Sequence, residues 1–172
     1  MFEVRAATPD DALAVSTLAE ATFREAFAAQ NTAEDMEAYV AGAFSADKLR
    51  EEIQDPRAIV PVAELSAGEG LAGYAHLVVG AGVDCMASSR PIELKRLYVA
   101  PRWHGRGVAQ ALMDAAIDSA RDRGAEALWL AVWEHNPRAV AFYGKYGFTR
   151  IGEHEFLLGS DKQTDWVLAR PV

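Results

Sequence analysis

Two stretches of this chain combine residue types and spacings that could do chemistry. The first, Arg102-Trp103-His104-Gly105-Arg106-Gly107-Val108-Ala109, follows the apolar, β-prone segment Glu93 to Val99. It leads into Val108, Ala109, Leu112, Met113, Ala116, Ile117 and Ala120, an apolar face at helical spacing. A strand–turn–helix junction leaves N–H groups unpaired in the first helical turn, and the helix dipole adds partial positive charge there. That combination favours a phosphate or pyrophosphate, and Gly105 and Gly107 let the backbone approach an anion with no Cβ in the way. The spacing is neither the Rossmann fingerprint nor the Walker loop. The second stretch runs from Trp133 to Phe148 and carries an amide (Asn136), a phenol (Tyr143) and an ammonium (Lys145). Taken alone, Tyr143 beside Phe142 is an ordinary core tyrosine at helical spacing, and Arg102 and Lys145 are solvated surface charges.

The elements that would position these groups can be read in order. Glu3–Ala6 is a short strand, and Thr8-Pro9-Asp10-Asp11 opens a helix with a Thr cap, a first-position proline and acids in the first turn. Thr32-x-x-Asp35 opens a second helix to Phe44, and Ser45 caps a third from Ala46 to Gln54. A proline-bearing strand, Ala58 to Leu65, turns into a partner, Leu71 to Val79; a loop follows from Gly80 to Arg90. The Ile92–Val99 strand and its helix to Arg123 come next, with Gly124 as the helix stop. Ala127–Trp133, apolar on both faces, is a central strand. Asn136-Pro137 caps a helix through Tyr146, and Phe148–Ile151 and Thr164–Leu168 are the last strands. The order predicts an α/β (α+β) fold with a mixed, partly antiparallel central sheet of 6–7 strands flanked by helices. A crevice is expected at the carboxyl ends of the two parallel central strands, between Val99 and Trp133.

The 172 residues fit one domain, 1–172, with hydrophobic content of 51% and charged content of 24%. No apolar run approaches the roughly 20 residues of a membrane helix, and the first residues have no signal-peptide form. The lone Cys85 cannot close an intrachain disulfide. Together these give a cytoplasmic expectation. The net charge is −8, and all the excess lies in residues 1–56, where twelve acids face four bases; the remainder is balanced. Such a chain is a poor candidate for nucleic acid or membrane and a better one for a cationic partner. His76, His104, His135 and His154 show no metal-ligand spacing, so no metal is expected.

Arg102-x-x-Gly105-x-Gly107 resembles the R/Q-x-x-G-x-G/A pyrophosphate loop of the GNAT superfamily of acetyl-CoA-dependent N-acetyltransferases. Asn136, Ala139, Phe142, Tyr143, Lys145, Gly147 and Phe148 match that family's N-x-x-A-x-x-F-Y-x-K-x-G-F signature. A finer likeness, to the PaiA-type spermidine/spermine acetyltransferases, rests on Thr22-Phe23, Phe27, Gln30-Asn31, Met36, Tyr39 and Phe44 at the front. Gly152, His154, Phe156, Gly159 and Gln163-Thr164-Asp165 carry it at the back.

The resemblance implies a GNAT-like groove for acetyl-CoA between the two parallel strands. The backbone of Leu97, Tyr98 and Val99 would meet the pantetheine arm, and Arg102, His104, Gly105, Arg106, Gly107, Val108 and Ala109 would surround the pyrophosphate. Asn136 would bond the arm and Lys145 the ribose phosphate. It further implies that Tyr143 is the general acid toward the departing thiolate and that Glu93 takes the amine's proton; the residues alone leave Glu93 equally a plain strand-face carboxylate. Some base is required, because a lysine-like amine is more than 3 pKa units from its neutral form at pH 7, roughly 4.6 kcal/mol. The implied acceptor is a small cationic amine, most simply a polyamine, with Glu25, Glu34, Asp35, Glu37 and Glu134 as candidate contacts. A protein N-terminus, another metabolite amine, or a non-catalytic coenzyme A sensor are the alternatives, and a homodimer is compatible with all of them.

Overall fold

The computed structural model describes residues 1–172, the side chain of Ala67 excepted. The chain forms β1 (Phe2–Ala6), α1 (Ala12–Phe27), α2 (Ala33–Ala43), α3 (Ala46–Gln54), β2 (Ala58–Ile59), β3 (Pro61–Leu65) and β4 (Leu71–Val79). Then follow β5 (Pro91–Val99), α4 (Val108–Asp122), β6 (Ala127–Trp133), α5 (Pro137–Lys145), β7 (Thr149–Leu158) and β8 (Asp161–Pro171). Seven strands lie in the order β1-β3-β4-β5-β6-β8-β7, with β2 paired to β4. β5 and β6 are parallel and the other pairings antiparallel. This is the expected mixed sheet; counting the two-residue β2 it has eight strands.

Local signals set the helix starts. Thr32 Oγ1 accepts from Asp35 N–H at 3.1 Å, Ser45 Oγ from Lys48 N–H at 3.3 Å, and Asn136 Oδ1 from Ala139 N–H at 3.1 Å. Before α1, Thr8 caps a 3₁₀ turn over Pro9–Asp11, and the Asp11 carboxylate accepts the Thr8 N–H at 2.7 Å. Arg5 ties that turn to the sheet by bonding both Asp11 and Glu64.

α1, α2 and α3 cover one face of the sheet around Val15, Phe23, Met36, Phe44, Leu49 and Tyr74. α4 and α5 cover the other. There α4 buries Leu112, Met113 and Ile117 against β4, β5 and β6, each worth roughly 1.5–3 kcal/mol of transfer free energy.

Two segments differ from expectation. The Ala58–Leu65 strand is broken at Val60, whose carbonyl accepts from Ala7 N–H at 2.7 Å. Pro61, without an N–H, starts the second half at the end of the β1 ladder instead of continuing the first. The last two strands are longer, at 10 and 11 residues. Their polar ends read as loop, but pairing across the hairpin holds Glu153, Glu155 and Lys162 in an exposed edge ribbon. β8, not β7, lies against β6, an order that local pattern does not encode.

Candidate active site

The two parallel strands touch only at their starts. Pro91, Ile92 and Glu93 pair with Ala127, Leu128 and Trp129; beyond them β5 continues with β4 as far as Val99 and β6 with β8 as far as Trp133. The strands therefore part from Glu93 onward, and the expected crevice is a splay within the sheet itself. A bulge sits at its apex. His76 pairs with Arg96 but Leu77 with Leu94, so Lys95 is an extra residue in β5.

Beyond the bulge, hydrogen bonding alternates. Ala100 N–H bonds to Ala72 of β4, so the peptide groups of Ala100 and Tyr98 face β4, while those of Leu97 and Val99 face the splay. Leu97 thus presents its N–H and carbonyl, and Val99 its N–H, where the resemblance requires them; the Val99 carbonyl is taken by His104. Tyr98 does not: its backbone belongs to the β4 ladder and its ring packs against Phe44 and Tyr74.

At the open end lies the glycine turn. Gly105 has φ +73° and Gly107 φ +84°, and a Cβ built on either meets nothing within 4 Å. Both conformations suit glycine and the space outside them is open. Ala111 N–H bonds to Gly107, so Val108, Ala109 and Gln110 N–H have no intrahelical acceptor, and Gly107 has no side chain to cap them. Arg102 and Arg106 are exposed beside this cradle, Arg106 standing 5.3 Å over the Trp103 ring.

His104 Nε2 lies 2.9 Å from the Val99 carbonyl and its Nδ1 3.2 Å from Arg138 Nη1. A guanidinium can only donate, so Nδ1 accepts and the Nε2–H donates to Val99. The loop is in this way laced to the start of α5 across the mouth of the splay. Asn136 and the exposed Lys145 occupy opposite ends of α5, ~13 Å apart at helical rise.

Tyr143 projects from α5, packed edge-on to Phe142 and Phe148. Burial pushes its phenol up to about 12, and it lies close enough to Tyr98 to help raise that group as well. A phenol at 12 stays protonated at neutral pH, but handing its proton to a thiolate of ordinary pKa near 8.5 is uphill by about 3.5 units. A hydrogen bond that stabilises the departing sulfur is therefore the chemistry Tyr143 can offer. Glu93, at the apex, is also raised by burial, with the nearby Lys95, His154 and Arg96 pulling the other way. Raising a carboxyl improves its match as a base.

The helix face of the sheet beside the splay carries an aromatic wall. Trp133–Phe27, Phe27–Phe23, Phe23–Tyr39 and Tyr39–Phe156 have ring centroids 5.6, 4.6, 4.5 and 5.4 Å apart. Asp165, on β8, is the direct cross-strand partner of both Trp133 and His154. It is 8% exposed, burial pushes its carboxyl up to about 6, and its Oδ1 has no hydrogen-bond partner. Two of the expected acidic contacts are consumed elsewhere. Asp35 accepts from Ser160 N–H at 2.7 Å and from Ser160 Oγ at 3.0 Å, and Glu37 pairs with Arg24 at 2.8 Å. Both secure helices against neighbouring structure.

One cluster at the bulge had no signal in the sequence. Glu52 of α3 bonds Arg96 at 2.5 and 3.4 Å and Lys95 at 3.3 Å, with His76 Nδ1 at 3.5 Å. Burial alone would raise the Glu52 carboxyl, but Arg96 outweighs it and holds it below the usual range. Residues 52, 76 and 96 are remote in sequence, so only folding assembles them. Among the described residues, no group of three or more His, Cys, Asp and Glu could hold a metal ion, and no helix is long and apolar enough to cross a membrane.

Comparison with known proteins adds a family. The family model described as "Acetyltransferase (GNAT) family" matches residues 19–148. An uncharacterised N-acetyltransferase encoded in the pepI 3′ region of Lactobacillus delbrueckii subsp. lactis is 34% identical over 151 residues, 88% of this chain and 86% of that protein. An uncharacterised N-acetyltransferase of Mycobacterium tuberculosis is 34% identical over 162 residues, 94% and 98% of the two chains. The crystal structure of the PaiA N-acetyltransferase from Thermoplasma acidophilum in complex with coenzyme A superposes with TM-score 0.79 at 19% identity. It covers 100% of this chain and 99% of that one, a likeness of fold. This chain belongs to the acetyltransferase (GNAT) family and is an acetyl-CoA-dependent N-acetyltransferase.

Proposed function

We propose that this acetyltransferase, as a single domain over residues 1–172, acetylates a primary amine of a small cationic acceptor, in the first instance a polyamine such as spermidine or spermine. The observation that carries the reading is the splay between β5 and β6. One edge of it exposes the Leu97 N–H and carbonyl and the Val99 N–H, its mouth ends at the uncapped start of α4, and Glu93 and Tyr143 flank it from different elements. Acetyl-CoA supplies the activated acyl group.

The remaining work falls to side chains and backbone of this chain. The Leu97 and Val99 groups hold the pantetheine arm as an added strand, with the Asn136 amide beside it. The N–H groups of Gly107, Val108 and Ala109, with Arg102 and Arg106, hold the pyrophosphate, and Lys145 meets the outer phosphate. The neutral fraction of the amine attacks, and Glu93, raised by burial, takes the proton from the nitrogen as the N–C bond forms and makes it acidic. Tyr143 keeps its own proton and donates a hydrogen bond to the sulfur as the C–S bond breaks.

An amine panel monitored by thiol release from acetyl-CoA tests the proposal. Turnover with spermidine above that with neutral or acidic amines is the expected result, and Glu93→Gln should remove the acidic limb of the kcat/KM profile. Coenzyme A binding without thiol release from any amine would overturn the catalytic reading in favour of a sensor.

A further inference from the structure

β8 carries two buried oxygens that lack a donor, Asp165 Oδ1 and Gln163 Oε1. They are two residues apart on one strand and so face the same side of the sheet, the side of the aromatic wall. The Gln163 amide cannot be turned over to satisfy itself. Its Nε2 donates to Asn31 Oδ1 at 2.8 Å and to the Asp161 carboxylate at 2.9 Å, and Asn31 is held in turn by donating to the Phe27 carbonyl at 2.7 Å. Both orphans are therefore acceptors, and a group rich in N–H donors satisfies them.

His154, the cross-strand neighbour of Asp165, pulls its carboxyl down while burial and Glu134 push it up, and no Lys or Arg among the described residues pairs with it. An acidic acceptor flanked by Trp133, Phe27, Tyr39 and Phe156 suits an alkylammonium, which gains from the carboxylate and from ring faces alike.

Position along the splay decides which nitrogen this is. Glu93 pairs with Trp129 at the apex, whereas Asp165 pairs with Trp133 at the open rim, four residues or ~13 Å farther along β6. That backbone separation suits two nitrogens of one chain better than a single amine.

We infer that Asp165 Oδ1 and Gln163 Oε1 form the anchor for a second ammonium of a diamine or polyamine acceptor whose reacting nitrogen lies at Glu93. The inference rests on the acceptor reading above and adds the residues that select the substrate. It adds to the acidic helices, where Asp35 and Glu37 already have partners, a selecting site on the β7–β8 hairpin.

The test compares spermidine with 1-aminobutane in the wild type, in Asp165→Asn and in Gln163→Leu, by thiol release and by thermal shift of the coenzyme A-bound protein. Asp165→Asn should lower the spermidine-to-aminobutane ratio of kcat/KM on the order of 10- to 100-fold, mainly through KM for spermidine, and abolish the spermidine-induced shift. Gln163→Leu should act in the same direction and less. An unchanged ratio in both variants, with the thermal shift intact, overturns the anchor. If the wild type turns over no amine yet spermidine still shifts its melting in an Asp165-dependent way, the anchor stands and the catalytic reading is the one that fails.

Discussion

Replacing Glu52 should damage both stability and the cofactor groove, and the two effects can be separated. The Glu52 and Arg96 side chains are 9% and 7% exposed, and they bond each other while Lys95 reaches the same carboxylate from 39% exposure. Glu52→Ala leaves the Arg96 guanidinium buried with no carboxylate partner, among the Phe44 ring 5.2 Å away, His76 3.5 Å away and the neutral Tyr74 and Tyr98 phenols. Stranding one partner of a buried pair costs about 3–5 kcal/mol. For a domain of this size that lowers Tm by roughly 6–20 °C, measurable by calorimetry or urea titration. Replacing both partners with apolar residues, Glu52→Leu with Arg96→Met, removes the stranded charge and should restore most of the stability. It should not restore acetyl-CoA affinity, because Glu52 clips both Lys95 and Arg96, the residues at the β5 bulge from which the splay opens. The double variant is therefore expected near wild-type Tm with a raised KM for acetyl-CoA. A double variant as unstable as the single one, or a Glu52→Ala loss under 1 kcal/mol, refutes the reasoning. The pH dependence follows from the same pair. The native carboxyl is held below its unfolded value, so its contribution is complete above about pH 4.3 and is lost as pH falls through the native pKa.

Tyr143→Phe should lower kcat on the order of 10²- to 10³-fold with little change in KM for acetyl-CoA. With the phenol near 12, no alkaline limb below about pH 10 should belong to it; a limb near pH 9 that vanishes in the Phe variant would contradict the assignment. Stability against pH should show two opposing buried groups. Burial lowers His76 to about 4, so the unfolded chain binds the extra proton and roughly 3 kcal/mol is lost as pH falls from 6.5 to 4. Asp165, raised to about 6, has the reverse sign and loses a similar amount as pH rises from about 4 to 6. The wild type should be nearly flat across that window. In urea titrations Asp165→Asn should be more stable than wild type at pH 7 and fall steeply toward pH 4, and parallel curves for the two proteins would rule this out.

Much of the donor side was legible in the chain because it is local. Gly105 and Gly107 immediately precede a helical face, and Asn136 caps the nine-residue helix that carries Tyr143 and Lys145, so spacing alone places them near one another. The helix caps Thr32, Ser45 and Asn136 are equally local, and each makes its bond. Charge was a poorer guide. The acidic first third reads as an attractor for cations, yet Asp11 and Glu52 pair with Arg5 and Arg96, Glu37 with Arg24, and Asp35 caps the β7–β8 turn. Charge composition says nothing about which carboxylates find partners.

The order of elements, the glycine turn before α4 and the helix carrying Tyr143 are legible in the chain, since each depends on residues within a few positions of one another. Long-range pairing places β8 beside β6, makes Lys95 an added residue in β5, and parts the strands after Glu93. The same is true of the burial of Asp165 opposite Trp133 and of the Glu52 clip on Arg96. Those features are made by pairing across 17 to 44 positions of chain, where the balance of register, burial and desolvation is settled by the whole fold.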